Sequence, residues 1–203
     1  MTAGAKAEPY MLNEPIREGK SELVKLLLKS TNNINERLHR TDETLLHLAV
    51  SENKLEIVKL LVANGANINA AGERRRTPLF IAFENDIYQY NSNDTIRKSS
   101  PMVDYLVAHD ANVNGTDSSL RSDLLLRAAE DHQLTAVRYL LQAGTNPNIK
   151  RGNQAENTPL QFAILNGDAA IVRTLIKAGA DINEPSYDDL PIIIAIKKGS
   201  CQS

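Results

Sequence analysis

The sequence predicts an all-α solenoid of antiparallel helix pairs joined by extended hairpin loops. Three observations predict it: an apolar helical segment ends in a short extended tail, the combination recurs, and its spacing is regular. The tails close on Asn35, Asn69, Asn114, Asn148 and Asn183, so the steps are 34, 45, 34 and 35 residues. Such a period is typical of stacked repeats. The long step indicates an insertion of about 11 residues.

Residues 44–69 show what one unit contains. Thr44 suits the start of a helix, because its hydroxyl accepts from backbone N–H groups that lack a partner there. The apolar segment LLHLAV follows, and SENK turns the chain into a second, antiparallel helix, LEIVKLLVAN. Gly65 suits the left-handed residue that ends a helix. We expect the Asn69 side chain to bond nearby backbone and to order the turn into the next unit.

The other units follow the same template. Two first helices open with Thr-Pro, at residues 77–78 and 158–159, and Pro is favoured in a first turn. Asp123 stands in the place of Thr, so we expect it to cap the next first helix. These openings, second helices of the form Ile-Val-x-x-Leu-Leu and closing segments such as GADIN resemble the ankyrin repeat family. The resemblance extends over about residues 10–200.

The resemblance has implications for structure and function. It implies that the ring of His47 bonds the hydroxyl of Thr44, and that the chain is a non-enzymatic module binding a partner protein on the concave face of the stack. The repeat array is expected to cover residues 10–200, between an N-terminal tail, 1–9, and a C-terminal tail, 201–203. Its units are expected at residues 10–38, 39–71, 72–117 (with the insertion at 87–100), 118–152 and 153–184, followed by a partial unit at 185–200.

Several positions depart from the template. Pro15 would disrupt a helix begun at residue 11, so we expect a later start with Asn13 or Glu14 as the cap. Thr31 and Asp110 replace the helix-ending glycine, and a β-branched residue adopts that conformation poorly. The unfinished last unit, with Ile192 and Ile194 partly uncovered, indicates either a fragment of a longer protein or a single capping helix.

Composition excludes several classes of protein. A formal charge of −2 and only 4% aromatic residues argue against binding to nucleic acid or to anionic membranes. The single cysteine, Cys201, cannot form an intrachain disulfide, which favours a reducing compartment. No membrane span and no signal peptide is evident. We therefore expect a monomeric cytoplasmic protein, in its own cell or in the host cytosol if it is a translocated effector.

No pattern predicts catalysis. The segment GKS at residues 19–21 lacks the earlier glycine of a phosphate-binding loop and is interpreted as a helix–helix turn. The four histidines share no metal-ligand spacing with one another or with Cys201. We therefore expect no catalytic residue, no cofactor and no metal.

Binding is expected at positions that the stack leaves variable, at the hairpin tips and the exposed ends of the first helices. An ordinary solvated position is the alternative for each one. Counting from each capping residue gives Arg40, Thr41, Glu43, Glu52, Arg74, Arg76, Glu84, Leu120, Glu130, Asp131, Gln154, Asn157 and Tyr187. Asn85 and Asn166 occupy neighbouring positions of the same kind.

Two segments stand out. The run ERRR at residues 73–76 places arginines at one tip, beside Glu52 and Glu84; their guanidinium groups either bind partner carboxylates or pair with those local glutamates. The polar insertion at 86–100 is either functional or disordered.

Three functions are therefore weighed. The first is the protein-binding module. The second is the targeting array of a larger protein, such as a host-directed effector of an intracellular bacterium or virus, with its catalytic region beyond Ser203. The third, a hydrolase hidden in the insertion, lacks a nucleophile, a metal cluster and an oxyanion motif.

Overall fold

The computed structural model describes residues 8–38, 42–88, 100–113, 116–150, 157–185 and 191–193. The α-helices are α1 Asn13–Arg17, α2 Ser21–Leu28, α3 Leu45–Ser51, α4 Leu55–Ala63, α5 Pro78–Tyr88, α6 Pro101–Ala108, α7 Ser118–Glu130, α8 Leu134–Gln142, α9 Pro159–Asn166 and α10 Ala169–Lys177. Residues 191–193 are also helical. A short 3₁₀ helix covers Pro9–Leu12, and Glu73–Arg75 form a single turn whose backbone at Arg74 is left-handed. The expected all-α fold of helix pairs is confirmed.

The chain divides into two compact units, residues 1–86 with 100–117 and residues 87–99 with 118–203. In the first unit, α3 packs against α1 and α4, and α2 packs against α4. In the second, α7 packs against α8 and α9, while α10 packs against α8 and α9. Odd-numbered helices are therefore the first helices of each pair, and even-numbered helices are the second.

First helices are more deeply buried than second helices. Every residue from Leu45 to Val50 in α3 is buried, whereas in α4 only Ile57, Val58 and Leu61 are. A second helix therefore presents one apolar stripe to its neighbours and a polar face to solvent, as the helical period of its apolar residues predicts.

Capping by threonine follows the sequence at the first helices α3, α5 and α9; at α5 the Thr77 hydroxyl accepts from the N–H of Phe80 at 3.3 Å. The N–H of Thr44 donates to Nδ1 of His47 over 3.1 Å, and the Thr44 hydroxyl lies 2.9 Å from the same nitrogen. This confirms the contact between them. In α9 the His position is taken by Gln161, whose Oε1 accepts from the N–H of Thr158 at 2.7 Å. Helices α3 and α9 therefore begin with a reciprocal capping box.

The closing asparagines bond the following repeat. In each case Nδ2 donates to a carbonyl at the end of the next second helix, and Oδ1 accepts from an N–H two residues further on. Asn35 bonds Gly65 O and Asn67 N, Asn69 bonds Asp110 O and Asn112 N, and Asn148 bonds Gly179 O and Asp181 N, over 2.6–3.2 Å. Asn114 lies outside the described residues. These side chains link successive repeats. Their own turns are ordered instead by the side chains two residues earlier, whose Oδ1 atoms accept from the N–H of each closing asparagine at 3.0–3.1 Å.

Some local expectations were wrong. Asp123 does not cap a helix, because α7 already begins at Ser118 and includes it. The first α-helix does start late, but its N-cap is Leu12 without a side-chain bond, not Asn13 or Glu14. Asp110 adopts the left-handed conformation, with φ 63°. Thr31 does not, and its hydroxyl donates instead to the carbonyl of Leu27.

Candidate protein-binding surface

The predicted contact positions are only partly within the described residues. Arg40, Thr41, Gln154 and Tyr187 lie outside them, as does most of the insertion, residues 89–99. The rest lie in the first unit (Glu43, Glu52, Arg74, Arg76, Glu84) or in the second (Leu120, Glu130, Asp131, Asn157).

Arg76 is the centre of an ion-pair cluster in the first unit. Its Nη1 lies 3.2 Å from Oε2 of Glu84, and its Nη2 lies 3.4 Å from Oε1 of Glu43. All three side chains are mostly buried, with exposed fractions of 28% for Arg76, 18% for Glu43 and 21% for Glu84. Arg76 therefore pairs with local glutamates, which was one of the two alternatives that the sequence left open.

Burial opposes the ionisation of Glu84 in this cluster. It raises the pKa of the Glu84 carboxyl above its ordinary value, while Arg76 and, more weakly, Arg74 act to lower it. A carboxylate in this place needs a cation beside it to remain ionised at little cost. Arg76 therefore acts first as a structural counter-ion.

The other two arginines behave differently. Residues 73–76 form a tight turn, here called the arginine turn, closed by a bond of 3.1 Å from the N–H of Arg76 to the carbonyl of Glu73. Arg74 and Arg75 both have left-handed backbones, with φ 51° and 59°, and both side chains are exposed. These two arginines, unlike Arg76, face solvent.

His47 holds the arginine turn in place by hydrogen bonds to backbone carbonyls. Because Nδ1 accepts from Thr44, Nε2 carries the proton, and it donates to the carbonyls of Ala70 at 3.0 Å and Arg76 at 3.1 Å. Gly72 closes the hairpin by donating to Arg76 O at 2.8 Å. A Cβ on Gly72 would lie 2.9 Å from Nε2 of His47, so only glycine fits without a shift.

Glu52 does not belong to this cluster. Its carboxylate lies 3.7 Å from Nε of Arg17, on the neighbouring first helix α1, and 39% of its side chain is exposed. The arginines were expected beside both Glu52 and Glu84; the ion pair of Arg76 bears this out for Glu84, whereas Glu52 pairs with Arg17.

In the second unit two of the predicted positions lie at the end of α7. Glu130 is the last residue of that helix and is exposed, and Asp131 follows it in the turn. Leu120 lies inside α7 and not on a hairpin tip, because the helix begins before it. Asn157 is half-buried just before the cap of α9.

Two asparagines considered as contact positions have structural partners instead. Nδ2 of Asn166 donates to the carbonyls of Ala129 and Glu130, at 3.2 and 2.7 Å. Asn85 does the same in the first unit, donating to Val50 O at 2.9 Å. These two asparagines connect the ends of successive first helices. Only a superposition of the repeats could have indicated this structural role.

One pair was missed by sequence reasoning. Nδ1 of His132 lies 2.6 Å from a carboxylate oxygen of Asp168, between the turn after α7 and the N-cap of α10. Its members are 36 residues apart, about one repeat, and that spacing is the only sequence indication of it. The described ranges contain no group of three or more His, Cys, Asp or Glu that could hold a metal ion.

None of the helices in the described ranges is both long and apolar enough to cross a bilayer.

Among solved structures, the chain is similar to an ankyrin repeat domain from Acinetobacter baumannii AYE. The TM-score is 0.61 and the sequence identity 26%, over 95% of this chain and 93% of that one. Among curated proteins, palmitoyltransferase AKR1 of Kluyveromyces lactis is 41% identical over 70 residues, which are 34% of this chain and 9% of that protein. The match thus spans a small part of the palmitoyltransferase.

The family comparison covers most of the chain. The model described as ankyrin repeats (3 copies) matches residues 12–117 and 125–203. These ranges contain the capping boxes and the asparagine bonds between repeats described above. The chain belongs to the ankyrin repeat family.

Proposed function

We propose that this chain binds another protein with the side of its repeats that carries the first helices and the hairpin turns. The observation that supports the proposal most is the arginine turn, where two arginine side chains are exposed on a hairpin that His47 holds through the carbonyls of Ala70 and Arg76. Repeat families use their regular positions for stacking and their variable positions for partners.

The test separates this side from the second helices. The chain is immobilised, its partner is captured and identified by mass spectrometry, and binding is then measured for purified variants. The first variant, Glu52→Ala with Glu130→Ala, changes the ends of first helices. The matched control, Glu22→Ala with Glu56→Ala, removes the same charges from second helices.

The two variants are closely matched. Glu52 has one exposed ion pair with Arg17, and Glu56 has one with Lys59. Such pairs rarely contribute more than about 1 kcal/mol to stability. We expect the first variant to weaken binding by about 1–3 kcal/mol if these residues belong to the contact. Equal weakening by the control would reject the proposed side.

A second candidate is that the array targets a larger multidomain protein whose catalytic region lies beyond Ser203. The similarity to a short stretch of palmitoyltransferase AKR1 favours it, since that repeat segment occurs within a much longer enzyme. Sequencing the full transcript tests it. A stop codon directly after Ser203 would exclude it.

A further inference from the structure

The first helix pair carries an exposed apolar face. Met11, Leu23 and Leu26 are 41–60% exposed, and Leu27 is half-buried. Leu23, Leu26 and Leu27 share one side of α2, because steps of three and four residues return to the same side of a helix. These four residues are here named the leucine face. A single exposed apolar residue is ordinary, but a group of them on one surface indicates a contact site.

The next repeat shows what the leucine face lacks. Residues one period of 34 positions later are buried: Leu45, Ile57 and Leu61, in the places of Met11, Leu23 and Leu27, are 0–1% exposed. In that repeat α3 packs against α1, and α4 packs against α2. Within the described residues no helix pair precedes α1 and α2. The side that packs against a neighbour in the second repeat is therefore open in the first.

The charges beside the leucine face are complementary to themselves. Glu22 and Lys29 are exposed, and neither has an ion pair within the part of the chain that the structure describes. Lys29 is the C-cap of α2 and keeps a helical backbone, with φ −62° and ψ −23°. Seven positions along a helix return to within about 20° of the same direction. Glu22 and Lys29 therefore lie on the same edge of the leucine face, with opposite charges near the two ends of α2.

We propose that the leucine face joins two copies of this chain, with their α2 helices antiparallel about a two-fold axis. Glu22 of each copy then lies beside Lys29 of the second copy, while Leu26 meets its counterpart near the axis. The charges select this direction, because a parallel pair would place Glu22 beside Glu22 and Lys29 beside Lys29. Burial of the leucines supplies the main stabilisation.

A two-fold pairing replaces the monomer expected from the sequence. It does not depend on the proposed function, because the leucine face contains none of the positions offered there as partner contacts. The two surfaces can therefore fail or succeed separately.

The test is sedimentation equilibrium of the purified chain at concentrations up to about 1 mM, since a contact of this size is expected to be weak. The wild type should form a dimer. Leu26→Glu places two like charges near the axis and should weaken the dimer by about tenfold or more. The matched control, Ile176→Glu, makes the same change at a 47% exposed apolar residue of α10 and should leave association unchanged.

An exchange of charges tests the antiparallel direction. Glu22→Lys alone opposes like charges at both ends of the contact, and so does Lys29→Glu alone. Each variant should therefore self-associate about tenfold more weakly than the wild type. A mixture of the two variants should associate within about twofold of the wild type, because every contact then joins a lysine to a glutamate. Misfolding of either variant cannot produce this recovery.

Several outcomes would overturn the pairing of two copies. They are a wild type that stays monomeric over the whole range, a dimer that survives Leu26→Glu, an equal loss with Ile176→Glu, and a mixture that does not recover. A monomeric wild type that dimerises when residues 1–7 are removed would assign the leucine face to that segment. A monomeric wild type that captures a different protein, and loses it with Leu26→Glu, would assign the face to that protein. In all of these cases the test of Glu52 and Glu130 still decides the proposed function by itself.

Discussion

At the scale of single residues, His47 connects a helix cap with a hairpin. Its Nδ1 accepts from Thr44 and its Nε2 donates to the carbonyls of Ala70 and Arg76. Only the neutral imidazole can satisfy all of these partners. Burial lowers the pKa of His47 below 6.5, the two carbonyls oppose this, and the cations Arg37 and Arg76 lower it further.

The lowered pKa predicts a loss of stability in acid. The unfolded chain binds a proton more readily than the folded one, so the contribution of His47 is present above about pH 6.5 and is lost as the pH falls towards the folded value. Replacing His47 by Gln, the residue used at 161, should remove this dependence. Urea unfolding from pH 5 to 8 measures it. A difference between wild type and His47→Gln that is the same at every pH would contradict the prediction.

The ion pairs of Arg76 with Glu43 and Glu84 lead to a second prediction at this scale. Arg76→Ala leaves Glu43 and Glu84 mostly buried and without their shared cation, which should lower the free energy of unfolding by about 1–3 kcal/mol. Urea unfolding measures it. Arg74→Ala is the control and should not destabilise the protein, because its side chain is exposed. Equal stability of the two variants would show that the cluster contributes little.

At the scale of elements, the hairpin before α5 depends on the close approach of Gly72 to the ring of His47. The N–H of Gly72 donates to Arg76 O, and its Cα hydrogen faces the ring of His47. That ring bonds both sides of the hairpin, at the carbonyls of Ala70 and Arg76. The ring is held at both nitrogens and has little freedom to move aside. The element is therefore fixed by one side chain from the preceding repeat.

This close approach predicts the effect of Gly72→Ala. A Cβ would lie 2.9 Å from Nε2 of His47, so the variant should lose about 1–3 kcal/mol of stability. In a double-mutant cycle with His47→Ala, which removes the ring, the two losses should be less than additive. Full additivity, measured by urea unfolding, would show that the two residues do not touch in solution.

At the scale of the whole molecule, stability comes from neighbouring repeats. In the second unit α10 packs against α8 and α9, and in the first α4 packs against α2 and α3. Bonds such as those from Asn148 to Gly179 and Asp181 likewise join adjacent repeats. In arrays of this kind the effect of a core change is expected to remain near its site.

A matched pair of core variants tests this locality. Leu175 in α10 and Leu61 in α4 are each 0% exposed. Each change to Ala should cost about 2–5 kcal/mol locally. Amide hydrogen exchange should accelerate in α8–α10 for Leu175→Ala and in α2–α4 for Leu61→Ala. Uniform acceleration over the described helices in both variants would indicate one cooperative unit instead.

Much of the candidate surface could not be predicted from the sequence. Counting from the capping residues correctly found the exposed end of α7 at Glu130 but placed Leu120 on a tip, because the N-terminal extension of α7 has no counterpart in the template. Arg74 and Arg76 were expected to be equivalent. Their difference arises from Glu43, which is 33 residues away and lies near Arg76 only because the two repeats stack.

The sequence by itself determined the period of the repeats, the helix pairs and their apolar faces, and its resemblance to the ankyrin repeat family implied the capping contact of Thr44 with His47. These depend on residues within about one helical turn of each other, or on the 3.6-residue periodicity, both of which are visible in a linear pattern. Only the tertiary structure decided that Asn69 bonds the next repeat at Asp110 and that Arg76 is held between two glutamates while Arg74 faces solvent. Those pairings join residues that are 8 to 41 positions apart, and they arise when the chain folds back and packs.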